Sequence, residues 1–290
     1  MIKKAIILCG GTGSRMFPLT RSTNKQLLPI FDKPMFYYPL SLMMLCGIRE
    51  YIFVINKDQE KNFINALGDQ KDLGIKIKFV IQKNPKGLPD AFLITKELIK
   101  NQSIAMILGD NFFYGNMLSP LIKKSFKIKN GCNIYLYPSN KTSAYGVVEF
   151  DKNNNIKKII EKPKKTTSNL IITGLYVFDK KVSDFSKKLK PSKRNELEIV
   201  DLINFYKRKK KLNVIKLGRG SAWMDVGNFV DLQSASNFIQ NIEQRQNYKI
   251  GCIEEIAFNN KWINKKNIHN RIKFCANTSY SKYLKNLILN

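Results

Sequence analysis

Apolar and polar positions alternate in two different ways along this chain, and the change falls near residue 130. In the first half, four short runs that are rich in β-branched residues alternate with longer helix-like stretches. Runs that are apolar at nearly every position are typical of strands covered on both faces. The predicted strands are 4–9, 51–56, 75–82 and 104–110, and the predicted helices are 35–46, 58–67, 88–100 and 117–127. This order predicts an α/β fold with a parallel sheet, in which loops at the carboxyl ends of the strands form the functional site.

The pattern changes from residue 132 onward. Four β-rich segments, "CNIYLYP", "YGVVEFD", "IKKIIEKP" and "LIITGLYVFD", follow one another closely and are separated by turn residues such as "KNNN". Closely spaced strands of this kind predict an antiparallel or mixed addition to the sheet. A helix over 196–209 and a strand over 212–218 then lead to the loop "GRGSAWMDVG". A long polar helix over 228–247 and a mainly helical C-terminal segment complete the predicted elements.

The composition indicates a folded protein and limits the classes of function to consider. With 290 residues, of which 43% are hydrophobic, the chain has ample material for a folded core. Its 50 Lys and Arg residues against 22 Asp and Glu residues give a formal net charge of +28. A basic surface is the electrostatic footprint of nucleic-acid binding, but here the lysines are dispersed, and no zinc-finger, RNP or basic-zipper pattern is present. We attribute most of the charge to a composition rich in Lys, Asn and Ile and expect no nucleic-acid partner; a basic nucleic-acid-binding protein is the less favoured alternative.

Cysteine usage and hydropathy indicate the compartment. The five cysteines are an odd number and include no C-x-x-C pair, so neither a disulfide framework nor a zinc ribbon is predicted. The longest apolar stretch, 34–48, is interrupted by Pro39 and is shorter than the roughly 18 residues that a membrane span requires. The apolar run after the first lysines is too short for a signal peptide. We therefore expect a cytoplasmic protein with no membrane partner.

A glycine-rich turn, "GGTGSR" (10–15), follows the first predicted strand. Without a Cβ in the way, backbone N–H groups of such a turn can approach a phosphate closely. The dinucleotide fingerprint would need glycine at Met16, and the P-loop would need Gly-Lys-Ser/Thr where the chain has Ser14-Arg15-Met16. A phosphate-binding loop with Arg15 as its cation remains, because a guanidinium can bridge phosphate oxygens. A turn that needs glycine only for positive φ angles is the structural alternative.

Charged side chains in other loops could complete such a site. Lys25, beside Gln26, would supply a second cation for a chain of phosphates. Asp110 in "GDN" follows a predicted buried strand, where a carboxylate is well placed to hold Mg²⁺, and Asp225 in "WMDVG" could share that ion. Lys162 in "EKP" should be held extended by the proline after it and point at an anion.

Longer motifs carry a resemblance to a known family. In chain order they are "LCGGTGSR", "KQLLPIFDKPMFYYPL", "GLPDAF", "LGDNFFYG", "YGVVEFD", "EKPK", "TGLYVFD", "NELEI", "GRGSAWMDVG" and "YKIGCIEEIAF". These motifs are long, correctly ordered and spread over essentially the full length of the chain. By them the chain resembles the bacterial glucose-1-phosphate thymidylyltransferase family of sugar nucleotidyltransferases.

The resemblance implies a reaction and a cofactor. The substrates would be dTTP and glucose 1-phosphate, the products dTDP-glucose and pyrophosphate, and the cofactor Mg²⁺. The sugar phosphate would attack the α-phosphate in line, and its oxygen is already largely ionised near pH 7. This agrees with a chain whose one histidine, His269, lies near its end. The alternatives are the same fold using UTP or another sugar 1-phosphate, and a catalytically weak scaffold protein.

The resemblance also implies a fold and a domain organisation. The fold would be a Rossmann-like mixed, mainly parallel central sheet flanked by helices, with a small β addition and a helical C-terminal appendage. Residues 1–240 would form the catalytic domain, with a nucleotide half over about 1–130 and a sugar-binding half over about 131–240. Residues 241–290 would form a helical extension that makes oligomer or regulatory contacts.

Roles for individual residues follow from the resemblance at matching positions. The implied catalytic residues are Arg15, Lys25 and Lys162. The implied nucleotide-binding residues are Gly10, Gly11, Gly13, Gln26, Gln82 and Gly87. The implied sugar-phosphate-binding residues are Tyr145, Gly146, Glu161, Lys162, Gly174, Arg194 and Trp223. The implied metal ligands are Asp110 and Asp225. The implied regulatory residues are Tyr114, Gly115 and Glu255.

Family members are typically homotetramers inhibited by a dTDP-sugar end product, and they begin dTDP-rhamnose and related sugar synthesis for cell-surface polysaccharides.

This chain departs from the family pattern at several positions. Cys9 and Ser14 replace alanine and threonine in the glycine-rich segment, and Asn259 stands where arginine is expected at the regulatory site. Pro89 and Asp90 replace the alanine and glutamine of "GLAQAF", a change expected to alter the start of a helix.

Overall fold

The computed structural model describes residues 2–289. These residues divide into two compact units, each of which is built from segments that are distant in sequence. Unit 1 contains residues 82–107 and 114–223 together with residue 2, and unit 2 contains residues 3–81, 108–113 and 224–289.

Strands and helices alternate along most of the described chain. The strands are β1 (Lys4–Cys9), β2 (Pro29–Ile30), β3 (Lys33–Pro34), β4 (Glu50–Ile55), β5 (Lys76–Ile81), β6 (Ile104–Leu108), β7 (Asn111–Gly115), β8 (Cys132–Pro138), β9 (Gly146–Phe150), β10 (Ile156–Glu161), β11 (Leu170–Phe178), β12 (Leu212–Lys216) and β13 (Ser221–Asp225). The helices are α1 (Tyr37–Leu45), α2 (Glu60–Leu67), α3 (Asp90–Ile94), α4 (Lys96–Ile99), α5 (Leu118–Ser125), α6 (Val182–Ser186), α7 (Ile199–Arg208), α8 (Phe229–Gln246), α9 (Ile253–Asn259), α10 (Lys265–Phe274) and α11 (Ser279–Leu289).

In unit 2, β1, β4 and β5 form a parallel sheet, in which Ile6 lies opposite Ile52 and Ile52 opposite Lys78. β1 and β4 are buried along nearly their whole length, which explains their continuous apolar character. This confirms the parallel strands predicted from the apolar runs. The apolar stretch 34–48 contains the buried helix α1, and among residues 2–289 no helix is both long and apolar enough to cross a bilayer.

The helices α9, α10 and α11 belong to unit 2 and are held in it by a buried ion pair. The guanidinium of Arg271 in α10 donates to Oε1 of Glu254 in α9, at 2.9 Å from Nε and 2.6 Å from Nη2. Arg271 also donates to the carbonyl of Leu67 in α2 at 2.5 Å. Glu254 in turn accepts from the hydroxyl of Tyr280 in α11 at 2.6 Å. The predicted helical C-terminal appendage is confirmed, and its polar contacts anchor it to the rest of the unit.

In unit 1, the long strand β11 pairs antiparallel with β6, β8 and β9. β9 also pairs antiparallel with β10, whereas β12 lies parallel to β8. The register between β11 and β8 shifts between Ile172 and Tyr176, the stretch that contains Gly174. This arrangement confirms the mixed addition that the closely spaced strands after residue 132 predict.

Several boundaries differ from the sequence predictions for local reasons. The predicted helix over 88–100 is divided at Thr95, whose hydroxyl donates to the carbonyl of Ala91 at 2.6 Å. The predicted helix over 196–209 begins only at Ile199, because the residues before it form a turn with Asn195 at φ 59°. The segment 218–227, predicted as a loop, contains the strand β13.

Candidate active site

The glycine-rich turn after β1 is fixed by hydrogen bonds to its backbone. The side-chain amide of Asn56, just after β4, accepts from the N–H of Gly11 at 3.0 Å and donates to the Gly11 carbonyl at 2.6 Å. Thr20 donates to the carbonyl of Gly13 at 2.7 Å. Gly11 and Gly13 have φ angles of 107° and 61°. Both positions therefore require the positive φ that glycine adopts easily, as in the alternative in which the glycines serve only the shape of the turn. The space beside Gly11 is open, since a Cβ there would meet no atom within 4 Å.

Two cations and two carboxylates gather near this turn in unit 2. Lys25 forms an ion pair with Oδ2 of Asp110, which also accepts from Asn111 at 3.0 Å through Oδ1. The N–H of Val226, next to Asp225, donates to the carbonyl of Asp110 at 2.9 Å, which ties the two acidic segments together. Arg15 lies against the backbone after Asp225: a Cβ at Gly227 would be 3.0 Å from Nη2 of Arg15.

The two carboxyl groups have opposite pKa shifts. Burial alone would raise the pKa of Asp110, but the ammonium of Lys25 and the hydrogen bonds outweigh it, so the pKa lies below its usual value. Asp225 has its pKa raised to about 6, first by burial and then by the negative charge of Asp110, against the opposing effect of Lys25 and Arg15. A negative charge on Asp225, beside the one on Asp110, is therefore unfavourable unless a further cation is present.

Gln26 lies in the same part of unit 2 and has a polar atom that the described residues do not satisfy. Its side chain is 3% exposed, and Oε1 is a buried oxygen with no hydrogen-bond partner within residues 2–289. Its Cγ lies beside Gly109, where a Cβ would be 2.8 Å away. A buried acceptor without a partner is costly, which points to a donor on a ligand.

A second group of predicted residues lies in unit 1 around Glu161. Arg194 donates to Glu198 at 3.1 Å from Nε and 2.7 Å from Nη2, and its Nη2 is 3.5 Å from Oε1 of Glu161. The Nζ of Lys162 lies 3.9 Å from the same oxygen. Burial raises the pKa of Glu161, and Lys162 offsets this only in part. Glu198, which sequence analysis did not single out, is thus the main partner of Arg194.

Lys162 does not have the extended backbone that the following proline predicted. Its φ angle is +43°, in the left-handed region that non-glycine residues seldom adopt. The Lys162 N–H donates to the carbonyl of Tyr145 at 3.0 Å, and this contact holds the turn at the end of β10. The prediction of an extended Lys162 is therefore wrong, because a tertiary hydrogen bond overrides the local preference.

Aromatic rings and small residues line the same region of unit 1. Tyr145 meets Trp223 edge-to-face with a centroid distance of 5.3 Å, and Tyr137 lies on Trp223 at 5.9 Å. A Cβ at Gly146 would be 2.8 Å from Val200, so this strand position has no room for a side chain. The predicted Gly174 lies within β11.

Gln82 and Gly87 belong to the loop that leads into α3. Nε2 of Gln82 donates to Oδ2 of Asp90 at 2.9 Å, and both side chains are buried. Gly87 has a φ of 98°, and a Cβ there would lie 2.1 Å from the carbonyl oxygen of Leu197. Pro89 precedes the first residue of α3 with helical angles, as expected for proline at a helix start.

The predicted regulatory residues do not form one group within a unit. Tyr114 and Gly115 end β7 in unit 1, and a Cβ at Gly115 would be 3.0 Å from the carbonyl oxygen of Gly220. Glu255 lies in α9 in unit 2 and accepts from the hydroxyl of Tyr283 at 2.8 Å.

The predicted site residues are divided between the two units. Unit 2 contains Gly10, Gly11, Gly13, Arg15, Lys25, Gln26, Asp110 and Asp225. Unit 1 contains Gln82, Gly87, Tyr145, Gly146, Glu161, Lys162, Gly174, Arg194 and Trp223. Sequence analysis missed Asn56 and the Gln82–Asp90 contact; the one available signal for Asn56 was a polar residue directly after a buried strand.

Comparison with known proteins identifies the family. The profile described as "Nucleotidyl transferase" matches residues 4–242. A glucose-1-phosphate thymidylyltransferase of Neisseria gonorrhoeae is 44% identical over 285 residues, covering 98% of this chain and 99% of the relative. One of Xanthomonas campestris is 40% identical over 282 residues, covering 97% and 96% of the two chains.

Solved structures give the same result for the fold. A structure assigned to a Bacillus anthracis glucose-1-phosphate thymidylyltransferase has a TM-score of 0.75 at 32% identity and covers 82% of this chain and 95% of that one. UDP-glucose pyrophosphorylase in complex with UDP-glucose has a TM-score of 0.71 at 26% identity, covering 83% and 100%. These likenesses confirm the predicted fold class. The chain therefore belongs to the nucleotidyl transferase family of enzymes.

Proposed function

We propose that this protein joins dTTP and glucose 1-phosphate to give dTDP-glucose and pyrophosphate. The observation that carries the proposal is the set of charges at the glycine-rich turn, Arg15, Lys25, Asp110 and Asp225, in a chain 44% identical to a thymidylyltransferase over nearly its full length. Cations beside an open glycine turn suit the triphosphate of a nucleotide.

The chemistry asks for positioning and charge stabilisation more than for a base. The attacking oxygen of a sugar phosphate is already largely ionised near pH 7. Lys25 would hold the α-phosphate region, and Arg15 would neutralise charge that develops on the leaving pyrophosphate. His269 lies exposed in α10, with Nδ1 2.8 Å from the carbonyl of Lys265, and takes no part in the proposal.

Asp110 and Asp225 fit the requirements of a divalent cation. Mg²⁺ is usually held by one or two carboxylates together with substrate phosphates, and within residues 2–289 no cluster of three or more acidic, histidine or cysteine ligands offers an alternative. The raised pKa of Asp225 marks a place where an added cation relieves repulsion. When bound, Mg²⁺ would neutralise phosphate oxygens of the nucleotide.

The residues in unit 1 would bind the sugar phosphate. Lys162 and Arg194 would contact its phosphate, with Arg194 already oriented by its two hydrogen bonds to Glu198. The half-buried carboxyl of Glu161 would accept from glucose hydroxyls, and Tyr145 and Trp223 would form an apolar wall. Gly146 and the backbone at Gly174 would supply further contacts.

The nucleotide base would be read by amide side chains. Oε1 of Gln26, buried and without a partner within residues 2–289, is suited to accept from the nucleotide. Gln82 would contact the pyrimidine edge, and the backbone at Gly87 would leave room for the ring. Gly10, Gly11 and Gly13 would surround the phosphates.

Other expectations extend the proposal to the whole protein. It would act as a cytoplasmic homotetramer in dTDP-rhamnose or related sugar synthesis, without a nucleic-acid or membrane partner. Residues 1–240 would catalyse the reaction, and 241–290 would contribute oligomer contacts. A dTDP-sugar would inhibit it through Tyr114, Gly115 and Glu255.

A direct test combines product analysis with two variants. Purified protein mixed with dTTP, glucose 1-phosphate and Mg²⁺ should yield equal amounts of dTDP-glucose and pyrophosphate by chromatography. Asp110→Asn and Asp225→Asn should each lower kcat by about 100-fold or more while thermal unfolding remains cooperative.

Asp69→Asn removes the same charge elsewhere in unit 2. Asp69 accepts from the backbone N–H of Lys71 at 2.9 Å, which an asparagine oxygen can also do, so this control should keep full activity. Near-normal turnover by both active-site variants would contradict the assignment of the carboxylates, and absence of product from the wild-type protein would contradict the proposed reaction.

A further inference from the structure

Asp90 is a buried carboxylate in unit 1 to which the proposed reaction gives no role. It is the first residue of α3, and its Oδ2 accepts a hydrogen bond of 2.9 Å from Nε2 of Gln82. Gln82 is 6% exposed and Asp90 is 8% exposed, so both groups are largely shielded from water. Their hydrogen bond joins the two ends of the loop 83–89, which contains Gly87.

A carboxylate restricts the orientation of the Gln82 amide. An ionised carboxylate has acceptors only, whereas a glutamine amide has an acceptor oxygen at one end and an NH₂ donor at the other. Turning the amide over would set Oε1 of Gln82 against Oδ2 of Asp90, two acceptors with no proton between them. A buried mismatch of this kind is strongly disfavoured. Asp90 therefore determines which end of the Gln82 amide faces it and which end is left for a ligand.

An amide held in one orientation can distinguish two kinds of pyrimidine. Thymine and uracil present an acceptor at O4 and a donor at N3, whereas cytosine presents a donor at N4 and an acceptor at N3. With Nε2 of Gln82 held by Asp90, the free end of the amide is the acceptor Oε1. Placed against N3 of the base, this oxygen matches the N3–H of thymine or uracil and opposes the unprotonated N3 of cytosine. An amide that is free to turn over can match both.

We propose that Asp90 is a positioning residue for nucleotide specificity. By holding the amide of Gln82 in one orientation, it makes the protein select 4-oxopyrimidine nucleotides over 4-aminopyrimidine nucleotides. The inference rests on the proposed function, in which Gln82 contacts the base. Asp90 acts through Gln82 and needs no contact with the substrate.

The test compares kcat/KM for dTTP, dUTP and dCTP, with saturating glucose 1-phosphate and Mg²⁺. Asp90→Asn keeps the size of the side chain but offers both a donor and an acceptor, so it permits both amide orientations. Asp90→Ser also offers both and is smaller, which provides a second variant should the asparagine protein not fold. As a control, Ser183→Ala removes a 3.0 Å hydrogen bond to the carbonyl of Phe92 and so perturbs α3 without touching Gln82.

We expect both Asp90 variants to lower the dTTP/dCTP ratio of kcat/KM by about tenfold or more, mainly through a gain with dCTP. The dTTP/dUTP ratio of kcat/KM should stay within about twofold of its wild-type value, because thymine and uracil share the edge that Gln82 would contact and differ by one methyl. Ser183→Ala should leave both ratios unchanged.

Three outcomes would overturn the role of Asp90 while leaving the proposed function intact. The first is an unchanged dTTP/dCTP ratio in a folded Asp90 variant. The second is an equal fall in the dTTP/dCTP and dTTP/dUTP ratios, and the third is the same fall in Ser183→Ala; either of these would indicate general loosening of the loop. Failure of the wild-type protein to use dTTP at all would instead refute the proposed function.

Discussion

At the scale of single residues, the two carboxyl groups of the acidic pair in unit 2, Asp110 and Asp225, have pKa values shifted in opposite directions. Lys25 pairs with Asp110 and holds its pKa below the usual value, while burial and the Asp110 charge raise the pKa of Asp225 to about 6. The site therefore has one carboxylate whose charge is compensated and another whose charge is disfavoured. A divalent cation would compensate both, which is why these two residues carry the proposal of a metal site.

Gly87 is a residue whose replacement should be felt in both stability and activity. Its φ of 98° disfavours any side chain, and an added Cβ would lie 2.1 Å from the Leu197 carbonyl oxygen. Gly87→Ala should therefore lower the free energy of unfolding by about 1–3 kcal/mol. Activity should fall as well, because the loop ending at Gln82 and Asp90 would shift. Urea unfolding and kcat/KM for dTTP measure the two effects.

Gly218→Ala is the matched control for this prediction. A Cβ at Gly218 would meet no atom within 4 Å, so its free energy of unfolding should change by less than about 0.5 kcal/mol. Equal stability of the two alanine variants would show that the contact between Gly87 and Leu197 does not constrain the loop.

The residue types in the candidate site could be predicted from sequence better than their contacts. Cations and carboxylates in loops after predicted strands indicated Arg15, Lys25, Asp110 and Asp225, which the structure brings together in unit 2. The contact of Asn56 with Gly11, 45 residues away, could not be predicted, because no local pattern encodes a long-range hydrogen bond.

At the scale of elements, the sequence predicted strands correctly where burial on both faces determines the pattern of apolar residues. It failed where one local contact determines where an element begins or ends. β1 and β4 are covered on both faces and show it as continuous apolar runs. The division between α3 and α4 depends on one hydroxyl, that of Thr95, and β13 is a short strand flanked by glycines. Neither feature leaves a periodic signal in the sequence.

The attachment of the C-terminal helices depends on the ion pair between Arg271 and Glu254. Arg271→Met would leave Glu254 as a buried carboxylate without its cation, and such single removals cost about 3–5 kcal/mol. We expect a lower urea midpoint for the variant. The double variant Arg271→Met, Glu254→Leu should recover part of the loss, since no uncompensated charge then remains.

An exposed ion pair provides the comparison. Lys100 and Glu97 lie 3.9 Å apart at the surface, and Lys100→Met should change the free energy of unfolding by less than about 1 kcal/mol. If Arg271→Met were no more destabilised than Lys100→Met, the buried pair would not be what holds α10 to α9 and α2.

At the scale of the whole molecule, charge and similarity bear on function in different ways. The net charge of +28 favours anionic ligands in general and selects none of them. Similarity over 98% of the chain, together with a shared fold, is what narrows the reaction to nucleotidyl transfer. The choice of nucleotide then depends on a few side chains and can be measured directly.

That measurement is the rate of pyrophosphate release with Mg²⁺ and glucose 1-phosphate, comparing dTTP, UTP, ATP, CTP and GTP side by side at equal concentrations. We expect pyrophosphate release with every component present, fastest with dTTP and lost when either glucose 1-phosphate or Mg²⁺ is left out. Release fastest with another nucleotide, or no release with any of the five, would contradict the proposed function.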